Sequence, residues 1–498
     1  MNDSAGHRPS RQYDFVVVAN RLPVDRVTDE HGEAQWRPSP GGLVSAVQPV
    51  MQDLGGCWIG WSGAAGEAPE PFDESGMWLV PVPLSAAEVR DYYEGFSNAT
   101  LWPIYHDVIA PPEFHRSWWD AYVAVNQRFA DEAAARAAPG ATVWVHDYQL
   151  QLVPGMLRRR RPELRIGFFN HIPFPGYELF AQLPWRRQLV HGLLGADLLG
   201  FQRQGDATNF LRACRRAAGL TTRGAYVRVP DDDTVPAVLG APAATAAGAR
   251  PARTVRAAAF PISIDAAGFG EIARRDEVRA RAKEIRSALG DPELVLLGVD
   301  RLDYTKGILH RLKAYGEILQ DGGLSAPESV LVLVASPSRE RVEQYQHLRD
   351  EVEVIVGRIN GEHGAVGSPP IHYLHQSYPK DEMAALYLAA DVLLVTSLRD
   401  GMNLVAKEYV ACRHDETGAL VLSEFTGAAD ELSSAFLVNP HDIEGLKEGI
   451  MRAVRVPPRE ARRRMRTMRR RVREHDVAHW AQGFLDALGN QSAPPQQL

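Results

Sequence analysis

Asp391-Val392-Leu393-Leu394-Val395-Thr396-Ser397-Leu398-Arg399-Asp400-Gly401-Met402-Asn403-Leu404-Val405-Ala406-Lys407-Glu408 is the stretch whose reading decides the fold of this chain. After the leading aspartate comes an apolar, β-branched run, the pattern of a strand buried on both faces in a parallel sheet. Leu404 to Ala411 then supplies the helix formers of a crossover helix. The turn between them carries the chemistry. Gly401 removes a Cβ from the path of a ligand, and the N–H groups of Met402, Asn403, Leu404 and Val405 face out of a helix N-terminus, a setting that favours anions. Asp400 stands at the mouth, and Glu408 lies about 9–10 Å further along the helix by its rise. Two carboxylates so spaced can hold hydroxyls at both ends of one elongated anionic molecule, and a nucleotide-sugar has that shape. The plainer alternative is that Asp400 and Asn403 only cap the helix and Glu408 is a surface charge.

The 498 residues are 45% hydrophobic, enough to bury the cores of two or three domains. A net charge of −7 argues against a general nucleic-acid binder. Cys57, Cys214 and Cys412 lack the spacing of a zinc site or of a disulfide framework. Met1 to Gln12 is polar, unlike an ordinary signal peptide. Asp197 and Asp391 interrupt the best apolar runs before they reach the roughly 18 residues of a membrane span. The expectation is a soluble cytoplasmic protein acting on small molecules, with no membrane or nucleic-acid partner, assembled as a homo-oligomer.

Tyr13 to Ala19 reads as a buried first strand that delivers Asn20-Arg21-Leu22-Pro23 to its carboxyl end, where open α/β sheets place ligands. A polar hairpin-like segment follows, and then Pro40-Gly41-Gly42-Leu43-Val44, a glycine turn ahead of a helix. Residues 88–119 concentrate aromatic side chains, including Tyr92, Tyr93, Phe96 and Trp102, most of them expected in packing and one or two available to stack under a sugar. Thr142 to Leu150 and Arg165 to Pro175 are strands running into His146-Asp147-Tyr148 and Asn170-His171, which brings ionisable groups to one edge of one sheet. Leu198 to Phe201 continues that sheet. From Asp231 to Pro251 the chain is rich in Asp, Ala, Gly and Pro and reads as an insertion. Its Asp231-Asp232-Asp233 has the spacing of a two-aspartate metal site, but in low-complexity surroundings, so no metal is expected.

A second strand-helix series begins near Val255, with strands expected at 293–299, 330–335, 371–374, 391–396, 418–422 and 436–438. Two doubly wound sheets in tandem follow. Asp300-Arg301-Leu302-Asp303-Tyr304-Thr305-Lys306-Gly307 follows the first of these strands, and Ser336-Pro337-Ser338-Arg339 the next. Arg301 and Lys306 share one turn; without a metal, a leaving diphosphate needs such a bidentate fork and point charge. The arginine series from Arg459 to Arg473 reads as a solvated helix, Val477 to Leu488 as an amphipathic terminal helix, and Asn490 to Leu498 as a disordered tail.

Taken together, Asn20-Arg21-Leu22-Pro23, Gly41-Gly42-Leu43, Tyr93 with Phe96-Ser97-Asn98 and Leu101-Trp102-Pro103, His146-Asp147-Tyr148, Asn170 to Pro175, Val299 to Gly307 and the opening stretch resemble the motifs of trehalose-6-phosphate synthases. These are retaining glycosyltransferases of the GT-B architecture, and the resemblance covers nearly the whole chain. It implies an α/β fold of two Rossmann-like doubly wound domains facing each other across a cleft. Residues 1–253 would form an acceptor-binding domain, with a C-terminal helix at 477–490 packing back on it. Residues 254–476 would form a nucleotide-sugar-binding domain, and 491–498 a disordered tail.

The reaction implied is transfer of glucose from a nucleoside diphosphate glucose to glucose 6-phosphate, giving α,α-trehalose 6-phosphate. Arg21, Tyr93, Trp102 and Arg339 would hold the acceptor, mainly its phosphate, with Asp147 beside its sugar. His171 and Asp400 would hold the donor glucose, helped by the amides of Met402 and Asn403. Arg301 and Lys306 would neutralise the diphosphate with the amides of Leu404 and Val405, Gly41 and Gly42 would let their loop approach it, and Glu408 would take the ribose hydroxyls. Asp147, His171, Arg301, Lys306 and Asp400 form the expected catalytic set, with no cofactor and no metal. Reaction on one face, with the departing phosphate oxygen taking the acceptor's proton, leaves Asp147 to position substrate. The base stays open between uridine, guanosine and adenosine. Two rivals remain: a GT-B transferase with another acceptor such as glycerol 3-phosphate, and a silent sugar-phosphate sensor, which has no need of leaving-group cations.

Overall fold

The computed structural model describes residues 11–28, 34–38, 44, 47–48, 51, 55–230, 237–239 and 252–490. Gly41, Gly42, the Asp231–Asp233 triplet, most of the insertion and the tail from 491 lie outside the described residues. The chain forms two compact units. One comprises Met1–Tyr105, Pro112–Phe260 and Gly483–Leu498, the other His106–Pro111 and Pro261–Gln482.

Among the described residues the first unit holds a ten-stranded sheet. Its chain starts in the middle at Tyr13–Arg21, whose apolar run Phe15–Val18 is buried on both faces, and winds outward through Cys57–Trp61 and Met77–Pro81. It then returns to the other side of the first strand with Ala137–His146 and winds out through Arg165–Phe169, Leu198–Phe201 and Arg253–Ala259, every one of these pairings parallel. The second unit repeats the plan with six strands among the described residues. Leu294–Arg301 is central; the chain winds through Ser329–Ser336 to Ile371–Leu374, comes back at Val392–Val395, and continues through Ala419–Ser423 to Phe436–Val438, all parallel. In both sheets the winding direction reverses beside the first strand, and such a switch point is where open α/β sheets place ligands, at the carboxyl side of the strands.

Two differences from the sequence expectation have physical reasons. Cys57–Trp61 and Met77–Pro81 are strands that the reading left out, because tryptophan, glycine and proline break the aliphatic pattern of a buried strand. Arg253–Ala259, read as the start of the second series, pairs with Leu198–Phe201 and extends the first sheet. No described helix is long and apolar enough to cross a membrane.

The helix Val477–Gly489 brings Phe484 to the first sheet. Its ring stacks on Trp144 with centroids 4.7 Å apart and planes at 6°, and meets Phe260 edge-on at 5.3 Å. Gly167 and Gly200 make the groove: a Cβ on either would stand 2.8 Å from the Phe484 ring. Phe484 is fully buried. Phe484→Ala is expected to lower stability by about 3–5 kcal/mol, read as a shift in urea midpoint followed by tryptophan fluorescence.

Candidate functional site

In the second unit the switch point lies between Leu294–Arg301 and Val392–Val395, and the two segments singled out in the sequence leave the sheet there. Gly307 pins them together: it adopts φ +63, and a Cβ on it would lie 2.1 Å from the Thr396 carbonyl oxygen. Leu398 N–H donates to the Thr305 carbonyl at 2.7 Å, and the Thr396 hydroxyl donates to the carbonyls of Lys306 and Gly307. The short turn Tyr304–Lys306 therefore lies against the end of the neighbouring strand, which sets Lys306 Nζ 2.6 Å from Asp400 Oδ2. Both side chains are largely buried.

Asp400 also accepts from the Asn403 amide at 3.2 Å and the Ser397 hydroxyl at 3.4 Å. Asn403 Oδ1 in turn accepts from Ala406 N–H at 3.0 Å, capping the helix Leu404–Cys412. The left-handed backbone of this turn falls on Asn403, at φ +123, while Gly401 is not among the residues at positive φ. Burial alone would raise the Asp400 carboxyl, but the Lys306 ammonium and the Asn403 amide outweigh it and hold the carboxyl below its ordinary range. Glu408 sits one to two turns into the helix and accepts from the Tyr387 hydroxyl at 2.8 Å; burial raises its carboxyl against that bond.

Arg301 is exposed at the last position of its strand. Asp303, which the sequence reading did not single out, is fully buried and collects Thr305 N–H at 3.0 Å, the Thr305 hydroxyl at 2.9 Å and Arg339 Nη1 at 2.9 Å. Burial opposes its ionisation, yet Arg339, with Arg301 and Lys306, draws the carboxyl down to about 2. Arg339 thus belongs to the second unit and lies in a buried ion pair, its side chain 5% exposed.

The other expected acceptor residues belong to the first unit, around its own switch point between Tyr13–Arg21 and Ala137–His146. Arg21 lies over the Trp61 ring at 5.3 Å and pairs with Asp25 at 2.9 Å, in a slot left by Gly63, whose Cβ would stand 2.3 Å from the guanidinium. Tyr93 meets the same Trp61 ring at 5.5 Å, so the structure brings Arg21 and Tyr93 to one indole. Tyr93 is carried by a π-helix, Val89–Leu101, continued by Trp102, whose N–H reaches back to the Ser97 carbonyl. Side-chain hydrogen bonds fix that unusual winding: Asn98 to the Tyr93 carbonyl, Tyr148 to Asn98, and Tyr92 to Asn20, each at 2.7 Å. Trp102 is 3% exposed and packs on Tyr148, a buried position rather than an open stacking face.

Asp147 takes φ +73 just past its strand. Its N–H donates to the Phe169 carbonyl at 2.8 Å, and its Oδ1 accepts from the His171 N–H at 3.0 Å. His171 Nε2 lies 3.1 Å from Nδ1 of the fully buried His146. Burial pushes the His171 imidazole down to about 3, so the ring is neutral at ordinary pH.

The sequence profile of glycosyltransferase family 20 matches residues 13–490. A trehalose-6-phosphate synthase of Mycolicibacterium gilvum is 56% identical over 489 residues, covering 97% of this chain and 95% of that protein. Among solved structures, a UDP-forming α,α-trehalose-phosphate synthase of Burkholderia xenovorans in complex with glucose-6-phosphate is similar with a TM-score of 0.83 at 33% identity, over 96% of this chain and 100% of that one. An Escherichia coli trehalose-6-phosphate protein bound with UDP-2-fluoro glucose is similar with a TM-score of 0.84 at 33% identity, over 97% and 100% of the two chains.

The buried Asp303–Arg339 pair generates a stability test with a defined pH window. Arg339→Met leaves an uncompensated buried carboxylate and is expected to cost about 3–5 kcal/mol at neutral pH. Asp303 has a folded value depressed from 3.8 to about 2, so its ionised form contributes stability above the higher value, and that contribution is lost as pH falls through the lower. The pair's contribution to wild-type stability in urea unfolding is therefore expected to be full above pH 4 and lost toward about pH 2, while in the variant burial raises the Asp303 carboxyl, so the gap between the two begins to close at a higher pH.

Proposed function

The chain belongs to glycosyltransferase family 20, and from that premise we propose that it transfers glucose from UDP-glucose to glucose 6-phosphate with retention, giving α,α-trehalose 6-phosphate and UDP. The uridine is supported by the relative bound with UDP-2-fluoro glucose, and the acceptor by the relative bound with glucose-6-phosphate. The observation that carries the reading is the buried Lys306–Asp400 pair at the second unit's switch point, beside the N-terminus of the helix Leu404–Cys412.

In the resting enzyme that ammonium and carboxylate satisfy each other. When the donor binds, Asp400 turns to the glucose hydroxyls, with the amides of Met402 and Asn403, and Lys306 with Arg301 and the amides of Leu404 and Val405 takes the diphosphate. Charge grows on the β-phosphate as the glycosidic bond breaks, so cations already in place stabilise the transition state more than the ground state. Two fixed cations supply what a divalent ion supplies elsewhere, and the chemistry runs without a metal or other cofactor. Glu408 holds the ribose, with Tyr387 orienting its carboxylate.

Arg21, Tyr93, Trp102 and Arg339 hold the acceptor, mainly its phosphate. Asp147 is held by the His171 N–H, which suits a residue that orients the acceptor hydroxyl rather than a nucleophile. The departing phosphate oxygen then takes the acceptor's proton, and His171 holds the donor glucose. The first unit is thus the acceptor-binding domain and the second the nucleotide-sugar-binding domain. The protein works in the cytoplasm on these two small molecules, as a homo-oligomer that light scattering will size.

The test is release of nucleoside diphosphate from UDP-, GDP- and ADP-glucose against glucose 6-phosphate, with and without EDTA. UDP release giving trehalose 6-phosphate and insensitive to EDTA is expected; no turnover with any donor sinks the reading, and activity that returns only with a divalent cation sinks its metal-free part. Lys306→Ala is expected to lower kcat by about 10²–10³, with the KM for glucose 6-phosphate little changed. A raised KM at full kcat would show that Lys306 binds the ground state only.

A further inference from the structure

At the carboxyl edge of the first unit's sheet two histidine rings meet nitrogen to nitrogen. His146 Nδ1 lies 3.1 Å from His171 Nε2, with the rings 26° from parallel. His146 is 0% exposed, and its second nitrogen, Nε2, is buried with no hydrogen-bond partner among the described residues. Burial disfavours the charged form of both rings. A neutral imidazole carries a single N–H, so the contact has two possible arrangements. In one, His146 Nδ1–H donates to a lone pair on His171 Nε2, and the orphaned His146 Nε2 is a bare acceptor. In the other, His171 Nε2–H donates, and the orphan is a buried N–H. Orphaned buried N–H groups are rarer in proteins than under-satisfied acceptors, which selects the first arrangement.

We propose that His146 is a positioning residue that locks His171 into the tautomer with its proton on Nδ1. His171 then presents a hydrogen-bond donor, not an acceptor, from the nitrogen that His146 does not occupy. The backbone of His171 is fixed independently by the Asp147 carboxylate, so His146 sets the chemistry of the ring and Asp147 its place. For transfer, this means that a hydroxyl of the donor glucose meets an N–H. That last step rests on the role proposed above for His171; the tautomer itself does not.

Nitrogen-15 histidine labelling of the whole protein, with long-range proton–nitrogen correlation, reads the tautomer directly, and His146→Phe and His171→Gln assign the two rings. The expected result is the Nδ1–H pattern on both rings in the wild type. In His146→Phe the His171 pattern shifts toward Nε2–H and kcat falls about tenfold to a hundredfold. His146→Asn, whose amide N–H stands near the place of Nδ1–H, keeps the His171 pattern and recovers most of kcat. An Nε2–H pattern on His171 in the wild type overturns the proposal whatever the activity. Equal loss of kcat in the Asn and Phe variants, with the His171 pattern kept in the former, overturns it too. An Nδ1–H pattern in a protein with no transferase activity supports the tautomer lock and defeats the functional reading alone.

Discussion

Residue 307 has no room for a side chain, because a Cβ there would meet the Thr396 carbonyl oxygen. That contact holds together two loops that leave adjacent parallel strands and would otherwise diverge at the switch point. Once they touch, the Lys306 ammonium has a short path to Asp400, and neither charge needs water as its partner. Below the pair lies a second one, Arg311 with Asp300 at 2.7 Å, both almost wholly buried, with Arg311 also reaching the Thr396 hydroxyl. Gly298 makes space for that guanidinium: a Cβ there would lie 2.2 Å from Arg311 Nη1. Buried ion pairs contribute little net stability but are costly to break singly, so this stack works as a register lock between strand, turn and helix.

The two units place strain in the same part of their topology. Asp147 and Asn403 are non-glycine residues at positive φ, the first directly after His146 and the second on the turn that follows Val392–Val395, and both strands flank a switch point. Such backbone persists only where its surroundings over-determine it. For Asn403 those surroundings are the Ala406 N–H and the Asp400 carboxylate; for Asp147 they are the Phe169 carbonyl and the His171 N–H. In both units a polar side chain at a fixed angle is the result, ready before any substrate arrives.

How much of this was legible in the sequence follows from the range of the interactions. Strands such as Val392–Val395 and Ser329–Ser336 show as aliphatic runs, and the residues at their carboxyl ends show as the polar break after each run, so Asp400, Lys306 and His171 could be found locally. What could not be found depends on partners distant in sequence. Arg311 and Lys407 look like solvated charges on amphipathic helices, yet each is buried, Lys407 against Glu431 and the Ile262 carbonyl. Asp303 and His146 sit beside residues that were singled out, and only the fold reveals that they carry the pairings. The π-helix has no local signature beyond its aromatic density, since its winding is fixed by hydrogen bonds to Asn20 and Tyr148 from other elements. The arginine series from 459 to 473 behaves as read, with Met465, Met468 and Val472 inward and ion pairs such as Arg466–Glu416 outward.

The groove that Gly167 and Gly200 leave for Phe484 is lined by strands translated well before the side chain that fills it. Vectorial synthesis cannot seal the earlier half by itself. While the ribosome works through the later strands, an apolar slot along the nascent sheet stays open to water or to a chaperone. A polypeptide arrested anywhere before Phe484 would therefore carry its defect in the portion that left the exit tunnel first, and quality control would meet exposed tryptophan and phenylalanine there rather than at the broken end.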